Sequence, residues 1–227
     1  LIDDNFIRKE IELQVNVFLE AYKYVMTNSD RFLEATKVHL SISFYALLIA
    51  IVICVPLGIL CAKKEWLTDP IMGLFNALRV IPSLAVLIII LPIMGTGFAP
   101  ALVALTLLAC PPILINTYMG FRGIEPAIIE AASGLGMGER MIMRKIELPL
   151  AAPLLLSGIK TSAVEVIASA TLAAFIGGGG LGTFIINGLG MYKFSLLLVG
   201  ALPVALLAIL SEIGFSGIER WVTKYQR

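Results

Sequence analysis

Charge is scarce in this sequence: Asp, Glu, Lys and Arg make up 15% of its 227 residues, while 59% are hydrophobic. A soluble domain of that length needs far more polar surface, so the composition points to an integral membrane protein in contact with lipid. The formal net charge is +1, which offers no electrostatic footprint for nucleic acid. Histidine occurs once, at His39, which excludes a histidine-based metal cluster within the chain, and no metal site is expected. The three cysteines (Cys54, Cys61, Cys110) sit in apolar runs without disulfide or metal spacing, and read as packed free thiols. No G-x-x-x-x-G-K-[ST] phosphate loop is present, so the chain is not expected to hydrolyse ATP or to carry a cofactor of its own. Residues 1–39 mix charges without an early apolar core, and no cleavable signal is expected there.

Apolar runs are abundant instead. A membrane span needs about 20 mainly apolar residues to cross a hydrocarbon core ~30 Å thick. Five stretches qualify, at about 40–62, 71–93, 98–120, 150–176 and 195–217. They do not alternate as strands do, so the expected fold is an all-α integral membrane protein with five transmembrane helices. Pro56, Pro82, Pro111, Pro112 and Pro203 interrupt the runs, either as packing kinks or as breaks along a translocation path. Lys63 and Lys64, then Arg122, Arg140, Arg144 and Lys145, then Arg220, Lys224 and Arg227 flank one set of span ends. The opposite set has an uncharged 94–97 segment and Lys193 alone. The positive-inside rule then places the C-terminus in the cytoplasm and the N-terminus outside, as five spans require. Three regions result: an external amphipathic segment at 1–39, a transmembrane domain at 40–217, and a cytoplasmic tail at 218–227. The first should hold a helix over about 6–26 and a TNSD break at 27–30 that caps the next helix.

Residues 175–184 read FIGGGGLGTF, and Gly177, Gly179 and Gly182 fall on the G-x-G-x-x-G spacing of a dinucleotide-binding turn. That turn follows a strand and precedes an acidic residue by about 20 positions. Here a helical span precedes it, and no Asp or Glu occurs between Gly182 and Glu212. Gly177, Gly178, Gly179, Gly180 and Gly182 are read instead as a close-packed turn at the external mouth, where backbone approaches backbone.

The long loop at 121–149 is the most informative segment. Pro126 suits the first turn of a helix that continues through Ala132. Gly134, Gly136 and Gly138 should bend the chain, and 139–147 should form a second short helix ended by Leu148-Pro149. From the residues alone, this is either a surface shaped to be gripped or an ordinary solvated loop.

The same segment resembles a known family. Glu130-Ala131-Ala132, Gly136, Ile146 and Leu148-Pro149 reproduce E-A-A-x₃-G-x₉-I-x-L-P at every fixed position. This is the coupling-loop signature of permease subunits of bacterial ABC importers. HLSIS (39–43), PLGIL (56–60), IPSLAVL (81–87), NTYMG (116–120) and ATLAAFIGGGGLG (170–182) are similar to the branch that moves glycine betaine, carnitine and choline. The resemblance covers roughly 33–217 and implies a type I importer (MetI-like) permease architecture in the bacterial cytoplasmic membrane. It implies as partners a cytoplasmic ATPase holding ATP and Mg, a second permease subunit, and an extracytoplasmic substrate-binding protein. It also implies that Glu130, Ala131, Ala132, Gly134, Gly136, Ile146, Leu148 and Pro149 dock the ATPase, and that Gly136 makes the turn. The alternatives are an importer of another small zwitterion or amino-acid betaine, or an ATP-independent secondary transporter.

Arg79, Lys160 and Glu165 stand out as ionisable residues within the apolar spans. A charge at mid-bilayer costs at least ~2.5–3.5 kcal/mol on insertion scales, so each should face protein or water. Lys160 is read as structural, with its long stem snorkelling. Arg79 and Glu165 are expected to line the pathway with Pro82, Ser83, Asn116 and Thr161, either paired with each other or with Glu165 meeting a cationic solute group; a buried pair fixing helix register is the other reading. Asn116 is expected to hydrogen-bond across helices.

Overall fold

The computed structural model describes the backbone of residues 4–224 and the side chains of 16–222 and 224. The amphipathic face expected from residue 6 therefore lies partly outside the described side chains, and Arg227 of the tail lies outside them altogether. The order is α1 (Asp4–Thr27), α2 (Ser29–Lys63), α3 (Glu65–Val80), α4 (Ser83–Met94), α5 (Phe98–Arg122), α6 (Pro126–Gly134), α7 (Glu139–Ile142), α8 (Leu148–Ser169), α9 (Gly182–Gly190) and α10 (Phe194–Thr223). A π turn (Met143–Glu147) joins α7 to α8, and a 3₁₀ turn (Leu172–Ile176) follows α8.

Helices α2, α5 and α10 and the continuous stretch Glu139–Ser169 are each long and apolar enough to cross a membrane. The expected span at 71–93 is broken into α3 and α4, bent by 102° at their junction. The cause is Pro82. A residue before proline is pushed from the helical region to extended backbone, and Ile81 sits at φ −75°, ψ 124°. Pro82 then starts a new helix, its carbonyl accepting from Ala85 N–H at 2.8 Å and Val86 N–H at 3.2 Å. With 12 residues, α4 is ~18 Å long, too short to cross alone.

Four further expectations need correction. The span drawn to residue 176 ends as an α-helix at Ser169; Thr171 Oγ1 donates back to Ala168 O at 2.7 Å as the chain tightens into the 3₁₀ turn. The Leu148-Pro149 step does not end a helix but continues it. Proline has no N–H to donate four residues back, and Leu148 N–H bonds instead to Met143 O, five residues back. That π register carries the helix through the proline. The TNSD segment does not cap α2: Asn28 Nδ2 turns back to donate to Tyr24 O at 3.1 Å, and α2 starts without a side-chain cap. Helix α2 begins at Ser29, so the boundary drawn at residue 39 falls inside it.

The core forms around α5, which packs against α2, α8, α3 and α4. Small residues set the closest crossings, as they do where helices associate without water to drive them. A Cβ on Gly158 of α8 would lie 2.7 Å from both Asn116 Cβ and Pro112 O of α5. A second cluster (Ala21, Leu181, Phe184, Leu196, Val199, Val204) fastens α1 to α9 and α10. Tyr24 meets Phe184 edge-on there, with ring centroids 6.0 Å apart. Helix α9 occupies the segment between the fourth and fifth apolar runs, where the sequence shows no span.

Candidate functional site

The signature loop leaves α5 at Gly123 and enters α6 with Pro126 in its first turn, where a missing N–H costs nothing. Glu130 and Ala131 face outward, and only Ala132 of this helix is buried. Its end is a Schellman motif: Met137 N–H donates to Ala132 O at 3.1 Å and Gly136 N–H to Ser133 O at 2.9 Å. Such an end needs a left-handed residue, and Gly136 supplies it at φ +79°. The expectation that three glycines force the bend is corrected to one. Gly134 closes α6 as a helical residue, and Gly138 sits at φ −73°, open to any residue.

The rest of the signature lies on a different element. Ile146 falls in the π turn, half-buried, while Leu148 and Pro149 begin α8 and are exposed. One ion pair ties this base to α2, and a second ties α5 to α3 beside it. Lys63 Nζ, at the end of α2, bonds Glu147 Oε2 at 3.0 Å, with the glutamate side chain only 10% exposed. Arg122 Nη2, at the end of α5, bonds Glu65 Oε1 of α3 at 2.6 Å. The sequence reading counted Lys63 and Arg122 only as loop charges and gave Glu147 no role. A cavity of about 600 Å³ lies between them, lined by Lys63, Arg122, Ile129, Glu130 and Glu147 among others.

At the opposite end, Gly177, Gly179 and Gly180 take left-handed φ of +76°, +75° and +81°. Gly178 and Gly182 are needed for space: a Cβ on Gly178 would lie 2.7 Å from Ala101 Cβ, and one on Gly182 would collide with the Thr171 carbonyl. Gly97 N–H donates to Ile176 O at 2.7 Å, pinning the turn to the start of α5. His39 is fully buried beneath it; Nε2 donates to Ile167 O at 3.0 Å. Tyr192, between α9 and α10, is the non-glycine residue at positive φ, +54°, among those described.

The charged and polar residues of the spans divide into separate places. Lys160 of α8 is not free: its Nζ bonds Glu219 Oε2 at 3.1 Å and Glu212 Oε1 at 3.5 Å, both on α10. Glu212 lies inside the fifth apolar run and was missed. The signal was there, since Glu212 and Glu219 are seven residues apart and share a helix face. Asn116 does not reach across helices; its Nδ2 donates to Pro112 O of its own helix at 2.8 Å. Thr161 Oγ1 likewise donates to Ser157 O at 2.9 Å. Thr161, Glu165 and Ala168 form an exposed face of α8, and Arg79 and Pro82 are exposed at the α3–α4 bend with Ser83 half-buried beside them. Arg79 is close enough for its charge to act on Glu165. The ion pairs among the described residues do not include one between these two. No group of His, Cys, Asp and Glu among the described residues is arranged to hold a metal.

Residues 54–224 match the family described as binding-protein-dependent transport system inner membrane component. The chain is 40% identical over 201 residues to the choline transport system permease protein OpuBB of Bacillus subtilis, covering 88% of this chain and 93% of the relative. It is 40% identical over 200 residues to the carnitine transport permease protein OpuCB of Listeria monocytogenes, covering 88% and 92%. To the osmoprotectant import permease protein OsmW of Salmonella typhimurium it is 34% identical over 199 residues, covering 86% and 93%. In fold it is similar to a chain of the inward-facing MetNI methionine ABC transporter, with a TM-score of 0.78 at 22% identity over 85% of this chain and 96% of that one. A chain of an amino acid ABC transporter superposes with a TM-score of 0.72 at 21% identity, covering 89% and 97%. The broken α3–α4 span, the exposed signature helix and these near-full-length likenesses converge: the chain belongs to the family of multi-pass inner-membrane permease components of binding-protein-dependent transport systems.

Proposed function

We propose that this chain is the permease subunit of an ATP-driven importer for a small quaternary ammonium osmoprotectant of the glycine betaine, carnitine and choline class. The observation that carries the reading is α6 with its Gly136 end: a rigid, exposed helix presenting Glu130 and Ala131, its end locked by a motif only glycine readily fills. A partner ATPase, holding ATP and Mg, grips this helix. A second permease subunit completes the pathway, and an extracytoplasmic binding protein delivers the solute. Substrate class follows the relatives, whose names give choline and carnitine at 40% identity. The loop end faces the cytoplasm. The Lys63–Glu147 and Arg122–Glu65 pairs gather the ends of α2 and α5, the start of α3 and the base of α8 at one side, so the basic residues there form one cluster. The glycine turn is then the external mouth, and we assign Arg79, Pro82, Ser83, Asn116, Thr161 and Glu165 to the pathway between.

The test is purification of the tagged chain from its own membrane, with co-purifying subunits identified by mass, followed by reconstitution of the assembly in liposomes. ATP-dependent uptake of labelled glycine betaine, carnitine or choline is the expected result. Uptake by the chain alone without ATP would overturn the reading in favour of a secondary transporter.

A further inference from the structure

The Lys63–Glu147 pair has a position that loop charge alone does not explain. Glu147 ends the π turn, immediately before α8 and within the I-x-L-P segment, at the signature position where any residue is allowed. A π turn inserts one residue into the helix, and each residue advances the helix by about 100°. The turn therefore fixes which way Glu147 points, and π turns recur at working sites. Here it points into the protein, with its side chain 10% exposed, onto the ammonium of Lys63 at 3.0 Å. Lys63 is the last residue of α2, and a single residue, Lys64, separates it from α3. Lys64 is extended, at φ −128°, ψ 96°, so the chain hinges there. Glu65, the next residue, is held by Arg122 at the end of α5. Helix α3 then runs to the Pro82 bend.

A continuous chain of physical contacts thus leads from the base of the signature loop to the broken span. Glu139–Ser169 is one helical rod containing α7, the π turn and α8, so displacement at the loop moves Glu147 directly. Glu147 carries Lys63; Lys63 and the Arg122–Glu65 pair move the two sides of the Lys64 hinge, and α3 swings about it. We infer that the Lys63–Glu147 pair is the mechanical link between the loop and the α3–α4 bend. Its members are positioning residues for transport: they do not touch solute or nucleotide, and they convert motion at the loop into motion at the bend. The inference rests on the importer reading above.

The experiment uses the reconstituted assembly and reads two rates together: ATP hydrolysed and labelled glycine betaine taken up. The variants are Lys63→Met, Glu147→Gln, the exchange Lys63→Glu with Glu147→Lys, and the conservative Lys63→Arg. Mutations along a coupling path change it by roughly 2- to 30-fold. Both single variants should keep the co-purifying ATPase and its hydrolysis, yet lose uptake per ATP by a factor in that range. The exchange and Lys63→Arg should recover it. A pair that merely stabilised the fold would lower both rates together through lost assembly, leaving solute per ATP unchanged; that outcome overturns the inference, as does full coupling in both single variants. If the unaltered assembly takes up no labelled solute with ATP, the importer reading fails and the inference falls with it.

Discussion

Replacing Gly136 by alanine changes one hydrogen to a methyl group in open space, with no atom within 4 Å of the new Cβ. The whole effect is therefore conformational. At φ +79° an L-residue with a Cβ costs roughly 1–2 kcal/mol relative to glycine. Since 1.4 kcal/mol is a factor of ten, the Schellman end of α6 should be about 5- to 30-fold less populated relative to alternatives. The built-in control lies two residues away. Gly134 is helical and also faces open space, so alanine there should favour α6 by about 1 kcal/mol. The same chemical change thus acts with opposite sign at 134 and 136. Asparagine at 136, which tolerates the left-handed region, should fall between glycine and alanine, and valine should fall below alanine. The assay is the amount of ATPase retained by the tagged chain on washing, with chain stability followed by thermal unfolding. Retention should rank Gly, Asn, Ala, Val at 136, with Gly134→Ala at or above the parent. Equal retention for Gly136→Ala and Gly134→Ala would refute the argument that the turn presents the helix.

Gly182→Ala drives a methyl into the Thr171 carbonyl and should abolish stable expression in detergent, whereas Gly190→Ala meets nothing within 4 Å and should be neutral. In the Lys160 cluster, a double-mutant cycle on thermal unfolding should give Lys160–Glu219 a larger coupling than Lys160–Glu212. The former is shorter and less exposed, and exposed pairs are worth only about 0.2–1 kcal/mol. Cys54, Cys61 and Cys110 are buried, so an impermeant thiol reagent should label the folded chain only after denaturation. On that quiet background Ser133→Cys should react from the cytoplasmic side and Tyr192→Cys, at an 88%-exposed position, from the outside. The reverse pattern would invert the orientation.

Legibility in the sequence follows the physics of each feature. Long apolar runs announced α2, α5, the 150–169 part of the fourth span and α10, because hydrocarbon thickness sets a length that composition alone reveals. Proline announced the α3–α4 break, since Pro82 stood inside the second run, but a proline alone does not say whether it kinks a helix or turns it by 102°. The E-A-A signature located the loop and gave Gly136 its turn, and the hydrogen bonds show why that glycine and not its neighbours matters. Helix α9 was hidden because glycine and asparagine in GTFIINGLG lower local helix propensity, and packing on α10 overrides that. The π turn was hidden because it arises from how Pro149 meets the helix before it, which residue type does not encode. Lys160 was visible and so was the shared face of Glu212 and Glu219, but not their pairing, because they are more than fifty residues away along the chain and meet only through the packing of α10 on α8.

The uneven burial of the spans has a bearing on how this chain can drift. Of its most apolar stretch, α5 has 67% of residues buried within the protein, against 22% for α10. Residues that touch lipid need only be apolar, because acyl chains conform to whatever shape they meet. Residues that touch other helices must also fit, and cores register a single methylene. Helix α5 is therefore the part whose sequence is least free to wander. Interchanging Leu, Ile, Val and Phe along the outer face of α10 should leave the protein almost unmoved. The same exchanges along α5 should be rejected at most of its buried positions, so that a saturation library would trace α5 as the least tolerant of the spans.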